Sequence, residues 1–116
     1  MIENKEIYYV IGIDGGASKT RGILMNNNGE TIATAFGKGS NLTIYGETAA
    51  ERIVNIISNL CEKAKISIDS VDAIGLGLAG ASSEDGRDKL FKKLDTLNLS
   101  KKALIANDAE VAFEIN

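Results

Sequence analysis

The chain has 116 residues, which is enough for one domain with a single hydrophobic core. Thirteen Lys and Arg against sixteen Asp and Glu give a net charge of -3, which disfavours a nucleic-acid-binding protein because such proteins normally carry a basic surface. With no His and one Cys, the sequence excludes an intrachain disulfide, a Cys-rich zinc site and an iron–sulfur cluster held by this chain alone.

The first quarter of the chain predicts three strands. Ile7–Ile13 is apolar, aromatic and β-branched, which predicts a buried strand ending at Asp14. After a turn, Thr20–Met25 predicts a second strand. The Asn-Gly pair at 28–29 is a strong hairpin signal, so the third strand, Thr31–Phe36, should run antiparallel to the second.

A helix is predicted after the loop Gly37–Gly46, which is rich in Gly, Ser and Asn. Thr48 and Glu51 have the spacing of a capping box, which predicts the helix N-terminus. Apolar residues then recur at helical spacing on one face, namely Ala50, Ile53, Val54, Ile57, Leu60, Cys61 and Ala64. Because Cys61 belongs to this stripe, we interpret it as a small core residue and not a reactive thiol.

The second half predicts two more strands, each followed by a helix. Val71–Ala79 predicts the fourth strand, and Ser82–Asp85 begins a helix that runs to about Leu94. Lys102–Ala106 predicts the fifth strand. The element order is β-β-β-α-β-α-β-α, which indicates an α/β fold.

The end of the sequence suggests a longer protein. Asn107 and Glu110 predict the start of a capped helix, yet barely two turns follow before the sequence stops at Asn116. We therefore expect residues 1–116 to be a fragment that ends near the end of a first domain.

No targeting or membrane segment is predicted. The longest apolar run, Ala73–Ala81, is far shorter than the roughly 20 residues that span a bilayer. Residues 1–6 lack the basic and apolar regions of a signal peptide. We therefore expect a cytoplasmic protein that does not contact a membrane.

The turn Asp14–Thr20 is the first candidate site. Paired glycines allow backbone N–H groups to point into one concavity, which suits an anion, and hydroxyl and ammonium donors stand beside them. The phosphate-binding candidates are therefore Gly15, Gly16, Ser18, Lys19 and Thr20. At a strand end, Asp14 could hold Mg²⁺, which prefers oxygen ligands. The alternative is a plain hairpin turn, although that needs only two or three loop residues.

Two common nucleotide-binding motifs do not fit. A P-loop requires Gly before the Lys and a helix after the loop, whereas Ser18 precedes Lys19 and a strand is predicted next. The segment Gly75–Gly80 matches G-x-G-x-x-G, but its first two glycines fall inside a predicted strand. These glycines either allow close packing of the next helix or bring the backbone near a ligand at the strand's carboxyl end.

Polar residues near two other element ends complete the candidates. Asn107 and Asp108 follow the fifth strand, where a helix N-cap is the simpler interpretation. The alternative places the Asp108 carboxylate on the same rim as Asp14, where it could act as the general base in a chain without His. In the loop before the first helix, either Ser40 or Asn41 contacts a polar ligand, or these residues only shape the loop.

Four segments occur in the order seen in a known family: Ile11–Thr20, Gly39–Asn41, Gly75–Ala81 and Asn107–Ala109. They resemble the motifs of BadF/BcrA-type ATPases and N-acetylglucosamine kinases, which belong to the actin–Hsp70–sugar kinase superfamily. The resemblance covers nearly the whole chain from Ile7. It implies a ribonuclease H-like fold, in which a three-stranded antiparallel meander is extended by two parallel strands into a mixed five-stranded sheet with helices on both faces.

The resemblance also implies residue roles and ligands. Asp14 would serve Mg²⁺ within the first phosphate motif, and Asp108 would be the catalytic base that takes the sugar hydroxyl proton. Sugar contacts would come from Asn41, Gly80 and Asn107. The ligands would be ATP and a sugar, N-acetylglucosamine or a related amino sugar. Kinases of this type have two such domains with the nucleotide between them, so this chain would be the N-terminal domain and inactive alone.

Two other functions stay open under the same resemblance. One is an ATPase that uses hydrolysis to drive a conformational change in a partner enzyme, and the other is a non-catalytic module that keeps only the fold. Asp108 and Asn41 favour the sugar-kinase branch. The oligomeric state stays open, with a homodimer as one option.

Overall fold

The computed structural model of the chain describes residues 6–106. Its strands and helices are β1 Tyr9–Gly15, β2 Lys19–Asn26, β3 Thr31–Lys38, α1 Leu42–Tyr45, α2 Glu47–Ala64, β4 Val71–Leu78, α3 Glu84–Thr96 and β5 Ala103–Ala106, and apart from the extra helix α1 they follow the predicted order. Single 3₁₀ turns at Ile68–Ser70 and Ser100–Lys102 precede the last two strands. The predicted helix start at Asn107 lies outside the described residues.

One mixed sheet contains all five strands in the order β3-β2-β1-β4-β5. The first three strands form an antiparallel meander, and β4 and β5 extend it in parallel with β1. This confirms the predicted α/β architecture. Because β1, β4 and β5 run the same way, their carboxyl ends meet at one edge of the sheet, which is where open α/β sheets bind ligands.

The core lies between one face of the sheet and the helices α2 and α3. Alternate strand residues such as Ile11, Ile13 and Leu76 are fully buried on this face. Leu90 and Leu94 of α3 belong to the same apolar cluster. Cys61 is also part of it, and burial raises the pKa of its thiol, so the thiol is protonated at neutral pH. The interpretation of Cys61 as a core residue is confirmed.

The glycines of β4 lie on the opposite face of the sheet. Gly75 aligns with Gly12 and Gly77 with Asp14, whereas their neighbours Ile74, Leu76 and Leu78 belong to the core that contains α3. A strand alternates its side chains between faces, so these two glycines do not bring α3 closer to the sheet. That interpretation of the Gly-rich strand was wrong.

Two predictions about the first long helix were also wrong. The short helix α1 interrupts the segment predicted as a loop, and α2 begins at Glu47 with Gly46 as its N-cap and no side-chain capping bond. Thr48 is therefore already inside the helix and cannot form the predicted capping box.

Among the described residues, no helix is long and apolar enough to cross a membrane.

Candidate functional site

Three chain segments meet at the carboxyl ends of β1 and β4: the β1–β2 turn, the segment between β3 and α1, and the turn after β4. Backbone hydrogen bonds join them. Ser40 N donates to Gly16 O at 2.9 Å, Ala79 N to Gly15 O at 2.8 Å, and Leu42 N to Ala79 O at 3.0 Å. The three turns are therefore held in fixed relative positions by main-chain groups.

Gly15 allows this close approach. A Cβ atom at Gly15 would overlap the Ser40 hydroxyl and would lie 2.7 Å from Cδ2 of Leu78. Gly15 is buried, so its contribution is to let the segment before α1 pack directly on the end of β1. Only a residue without a side chain fits there.

Thr20 and Ser40 form a buried pair beneath the turn. The Thr20 hydroxyl donates to the Lys38 carbonyl at 2.7 Å and lies 2.6 Å from the Ser40 hydroxyl. Since Thr20 has one proton to give, Ser40 donates to it. Both side chains are fully buried. This geometry gives no support to a phosphate contact from Thr20 and makes it a brace between β2 and β3.

The β1–β2 turn is closed by a hydrogen bond from Gly16 N to Lys19 O at 2.8 Å. That N–H is therefore used within the turn, whereas the exposed side chains of Ser18 and Lys19 offer further donors for an anion. They line a surface concavity of about 370 Å³ together with Asp14, Gly16, Arg21 and Phe36. The structure thus brings four of the predicted residues to one concavity.

Asp14 lies at the same level of the sheet as the end of β5. Its register partner on β4 is Gly77, which pairs in turn with Ala106. With strands spaced by about 4.8 Å, the backbones of Asp14 and Ala106 are separated by about 10 Å. Asn107 and Asp108 follow Ala106 in the chain and lie outside the described residues.

Asn41 and Gly80 are in contact at the rim beside this turn. The Asn41 side-chain oxygen accepts hydrogen bonds from Thr43 N at 2.9 Å and Ile44 N at 3.0 Å, which makes Asn41 the N-cap of α1. Gly80 has φ +75°, and a Cβ there would overlap the Asn41 oxygen and lie 2.6 Å from Thr43 N. The amide oxygen of Asn41 is thus committed to the helix, and its NH₂ group is left to donate.

Two residues that the sequence did not single out stabilise the same turns. The Tyr45 hydroxyl donates to Ala17 O at 3.1 Å, and Arg52 donates to Gly39 O at 2.7 Å. The Arg52 guanidinium also lies 4.8 Å from the centre of the Tyr45 ring, within the range of a cation–π contact. Residues seven apart on two helices give no sequence signal for this role.

The side chains that line the concavity fit Mg²⁺ bound together with phosphate. Within residues 6–106, no three His, Cys, Asp or Glu side chains cluster as a metal cage. Mg²⁺ commonly uses one or two carboxylates, phosphate oxygens and water instead, and the exposed carboxylate of Asp14 suits that mode.

Known proteins similar to this chain include sugar kinases. It is 30% identical over 90% of its length to an N-acetylmuramic acid/N-acetylglucosamine kinase of Clostridium acetobutylicum and 35% identical over 94% to an N-acetyl-D-glucosamine kinase of Dictyostelium discoideum. A glucosamine kinase of Vibrio cholerae is 32% identical over 66% of the chain. The chain spans only 34%, 36% and 27% of the lengths of these relatives, respectively.

The fold is shared with solved structures. A Chromobacterium violaceum protein assigned as an N-acetylglucosamine kinase superposes with a TM-score of 0.62 at 22% identity, covering 88% of this chain and 35% of that one. A gluconate kinase of Lactobacillus acidophilus superposes with a TM-score of 0.50 at 25% identity, over 64% of this chain and 16% of its own. The BadF/BadG/BcrA/BcrD ATPase family model matches residues 11–113, and the chain therefore belongs to that family.

Proposed function

We propose that this chain is the N-terminal domain of an ATP-dependent sugar kinase that phosphorylates N-acetylglucosamine or a related amino sugar. The observation that carries the proposal is the convergence of two groups at one sheet edge. Asp14, Ser18 and Lys19 line a concavity suited to a metal and phosphate, and Asn41 with Gly80 forms the adjoining rim. The kinase relatives support both the reaction and the class of sugar.

The two groups would divide the work of phosphoryl transfer. Ser18 and Lys19 would donate to phosphate oxygens, with Gly15 and Gly16 shaping the turn, while Asp14 would hold Mg²⁺. The ion would neutralise charge on the phosphates. Asn41, backbone near Gly80 and Asn107 would orient the sugar. Catalysis in such a site consists mostly of positioning and charge stabilisation.

Asp108 would be the general base in this arrangement. It is the second residue after β5, whose carboxyl end lies level with Asp14 in the sheet. A carboxylate there would accept the proton of the attacking sugar hydroxyl as the hydroxyl oxygen bonds to the γ-phosphorus of ATP and the bond from that phosphorus to the leaving ADP breaks. The 116 residues include no His that could serve as a competing base.

The remainder of the nucleotide site would come from a second domain of the same protein. The chain covers about a third of its relatives, as expected if the nucleotide lies between two domains. We place the protein in the cytoplasm, where ATP is available, and a homodimer is compatible with the proposal.

Substitution of the two carboxylates in the full-length protein tests the function. Asp14→Ala should weaken Mg-ATP binding because the metal loses its protein ligand. Asp108→Asn should leave Mg-ATP binding unchanged and lower kcat by about 10² to 10⁴, the usual contribution of a general base. Nucleotide titration and steady-state turnover with amino sugars measure the two effects, with Asp88→Asn on the exposed side of α3 as a charge-matched control.

Two results would contradict the proposal. Wild-type turnover by Asp108→Asn across a panel of hexoses and amino sugars would remove the base and leave the helix-cap interpretation. If no sugar stimulated ATP turnover by the wild type, the partner-driving ATPase would replace the kinase.

A further inference from the structure

Arg21 occupies a place in the sheet that the proposed function does not yet use. In the register of the meander, Arg21 on β2 lies directly opposite Asp14 on β1 and opposite Phe36 on β3. Its neighbours Thr20 and Gly22 are buried on the face that packs against α2, so Arg21 lies on the other face. Arg21, Asp14 and Phe36 also line the concavity next to the turn.

The charged side chains of Arg21 and Asp14 do not form an ion pair with each other. The chain has three Arg residues, and the other two each donate to a backbone carbonyl, Arg52 to Gly39 O and Arg87 to Ala81 O. Within residues 6–106, the ion pairs join Lys89 or Lys93 to acidic side chains and do not include Arg21. Arg21 and Asp14 are cross-strand neighbours, yet both are exposed and neither closes on the other.

This pair complements a metal–phosphate ligand. A guanidinium is always charged and presents a planar fork that binds two phosphate oxygens at once. A carboxylate binds Mg²⁺, which also binds phosphate. Lys19 and Arg21 both lie on β2, two residues and about 7 Å apart on the same face. The concavity thus has cations for phosphate oxygens along one strand and a carboxylate for the metal on the next.

We propose that Arg21 is a further phosphate-binding residue, which contacts the polyphosphate of the magnesium nucleotide beside the metal held by Asp14. This inference rests on the proposed function, because it assumes that the concavity receives Mg-ATP. Phe36 forms the apolar wall on the far side of Arg21 and is 68% exposed.

Nucleotide binding by the full-length protein tests this contact without any sugar. Arg21→Ala should raise the Kd for Mg-ATP by about 10- to 100-fold, the loss expected for hydrogen bonds to a charged group. The Kd of Arg21→Lys should lie between those of the wild type and Arg21→Ala, because Lys keeps the charge and loses the bidentate geometry. Lys92→Ala, an exposed charge on α3, serves as the matched control and should leave the Kd unchanged.

Chemical rescue separates a phosphate contact from a structural role. Millimolar guanidinium ion should restore part of the Mg-ATP affinity of Arg21→Ala, and it should do nothing for the wild type. If Arg21 only supported the pairing of β2, its variants would melt at lower temperature with the Kd of the wild type and without rescue. Should the alanine variant fail to fold, Arg21→Gln and Arg21→Lys provide the same comparison.

The outcomes separate this inference from the proposed function. An unchanged Kd for Mg-ATP in the Arg21 variants overturns the contact, whether or not the protein phosphorylates a sugar. A wild type that phosphorylates no sugar, combined with weakened Mg-ATP binding by Arg21→Ala, would leave the contact standing and overturn only the substrate.

Discussion

At the scale of single residues, Asn41 has a role in the fold as well as a proposed role in binding. Its side-chain oxygen caps α1, so the amide NH₂ is the part that remains for a sugar hydroxyl. Substitution by Ala would remove both functions together. An N-cap is worth about 1 kcal/mol, and a neutral hydrogen bond about the same, so stability and affinity would change in parallel.

Asn41→Asp and Asn41→Ser separate the two roles. Both variants keep an oxygen that can cap the helix, and both remove the NH₂ donor. In the full-length protein we expect melting temperatures close to wild type, a KM for the sugar raised several-fold by loss of about 0.5 to 1.5 kcal/mol, and little change in the KM for ATP. Differential scanning calorimetry and initial-rate kinetics measure these quantities.

Asn41→Ala is the reference for this comparison, since it should lower stability and sugar affinity together. If the Asp and Ser variants both bound sugar as the wild type does, Asn41 would be only a helix cap. The serine variant is needed because the aspartate adds a charge near the phosphate turn.

At the scale of elements, the turn after β4 fits closely against the N-terminus of α1. Gly80 and Gly29 both have positive φ, +75° and +81°, but only at Gly80 would an added Cβ meet atoms of another element. This pair of glycines therefore separates backbone strain from the close approach of two elements.

Gly29→Ala should cost about 1 to 2 kcal/mol, because Ala must adopt the left-handed conformation in open space. Gly80→Ala should cost about 1 to 3 kcal/mol more, since the new methyl group displaces Asn41 and Thr43. It should also raise the KM for the sugar, while Gly29→Ala should not. Urea unfolding and initial rates provide the measurements, and equal destabilisation by both variants would show that α1 moves away freely.

At the scale of the whole molecule, residues 1–116 provide one side of the proposed nucleotide site. The concavity beside Asp14 contains phosphate-binding side chains at the surface of the domain, with nothing opposite them among the described residues to enclose a nucleotide. Binding energy from the phosphates alone is reduced by solvent screening of exposed charges.

We therefore expect weak or undetectable Mg-ATP binding by residues 1–116 alone. Isothermal titration calorimetry measures it, and circular dichroism of the same sample checks that the domain is folded. Micromolar affinity would contradict the two-domain site, because it would place all the necessary contacts within this chain.

The sequence by itself determined the order of the five strands and the two long helices, the antiparallel meander and the turn at Asp14. These follow from local information: β-branched runs, an Asn-Gly turn and helical spacing of apolar residues. It also singled out the exposed Ser18 and Lys19 and the half-buried Asn41 as candidates, since hydroxyl, ammonium and amide groups beside glycines stand out as a pattern.

Only the tertiary structure decided which polar groups face the concavity and which are used inside the fold. Thr20 and Arg21 are neighbours on β2, but the first is fully buried against Ser40 and the second is exposed beside Asp14. The α1 helix and the N-cap at Gly46 were missed for a different reason, because a helix of four residues is too short to show a periodic apolar pattern. Contacts between residues distant in sequence leave no local pattern, so the direction in which each side chain points had to come from the packed sheet.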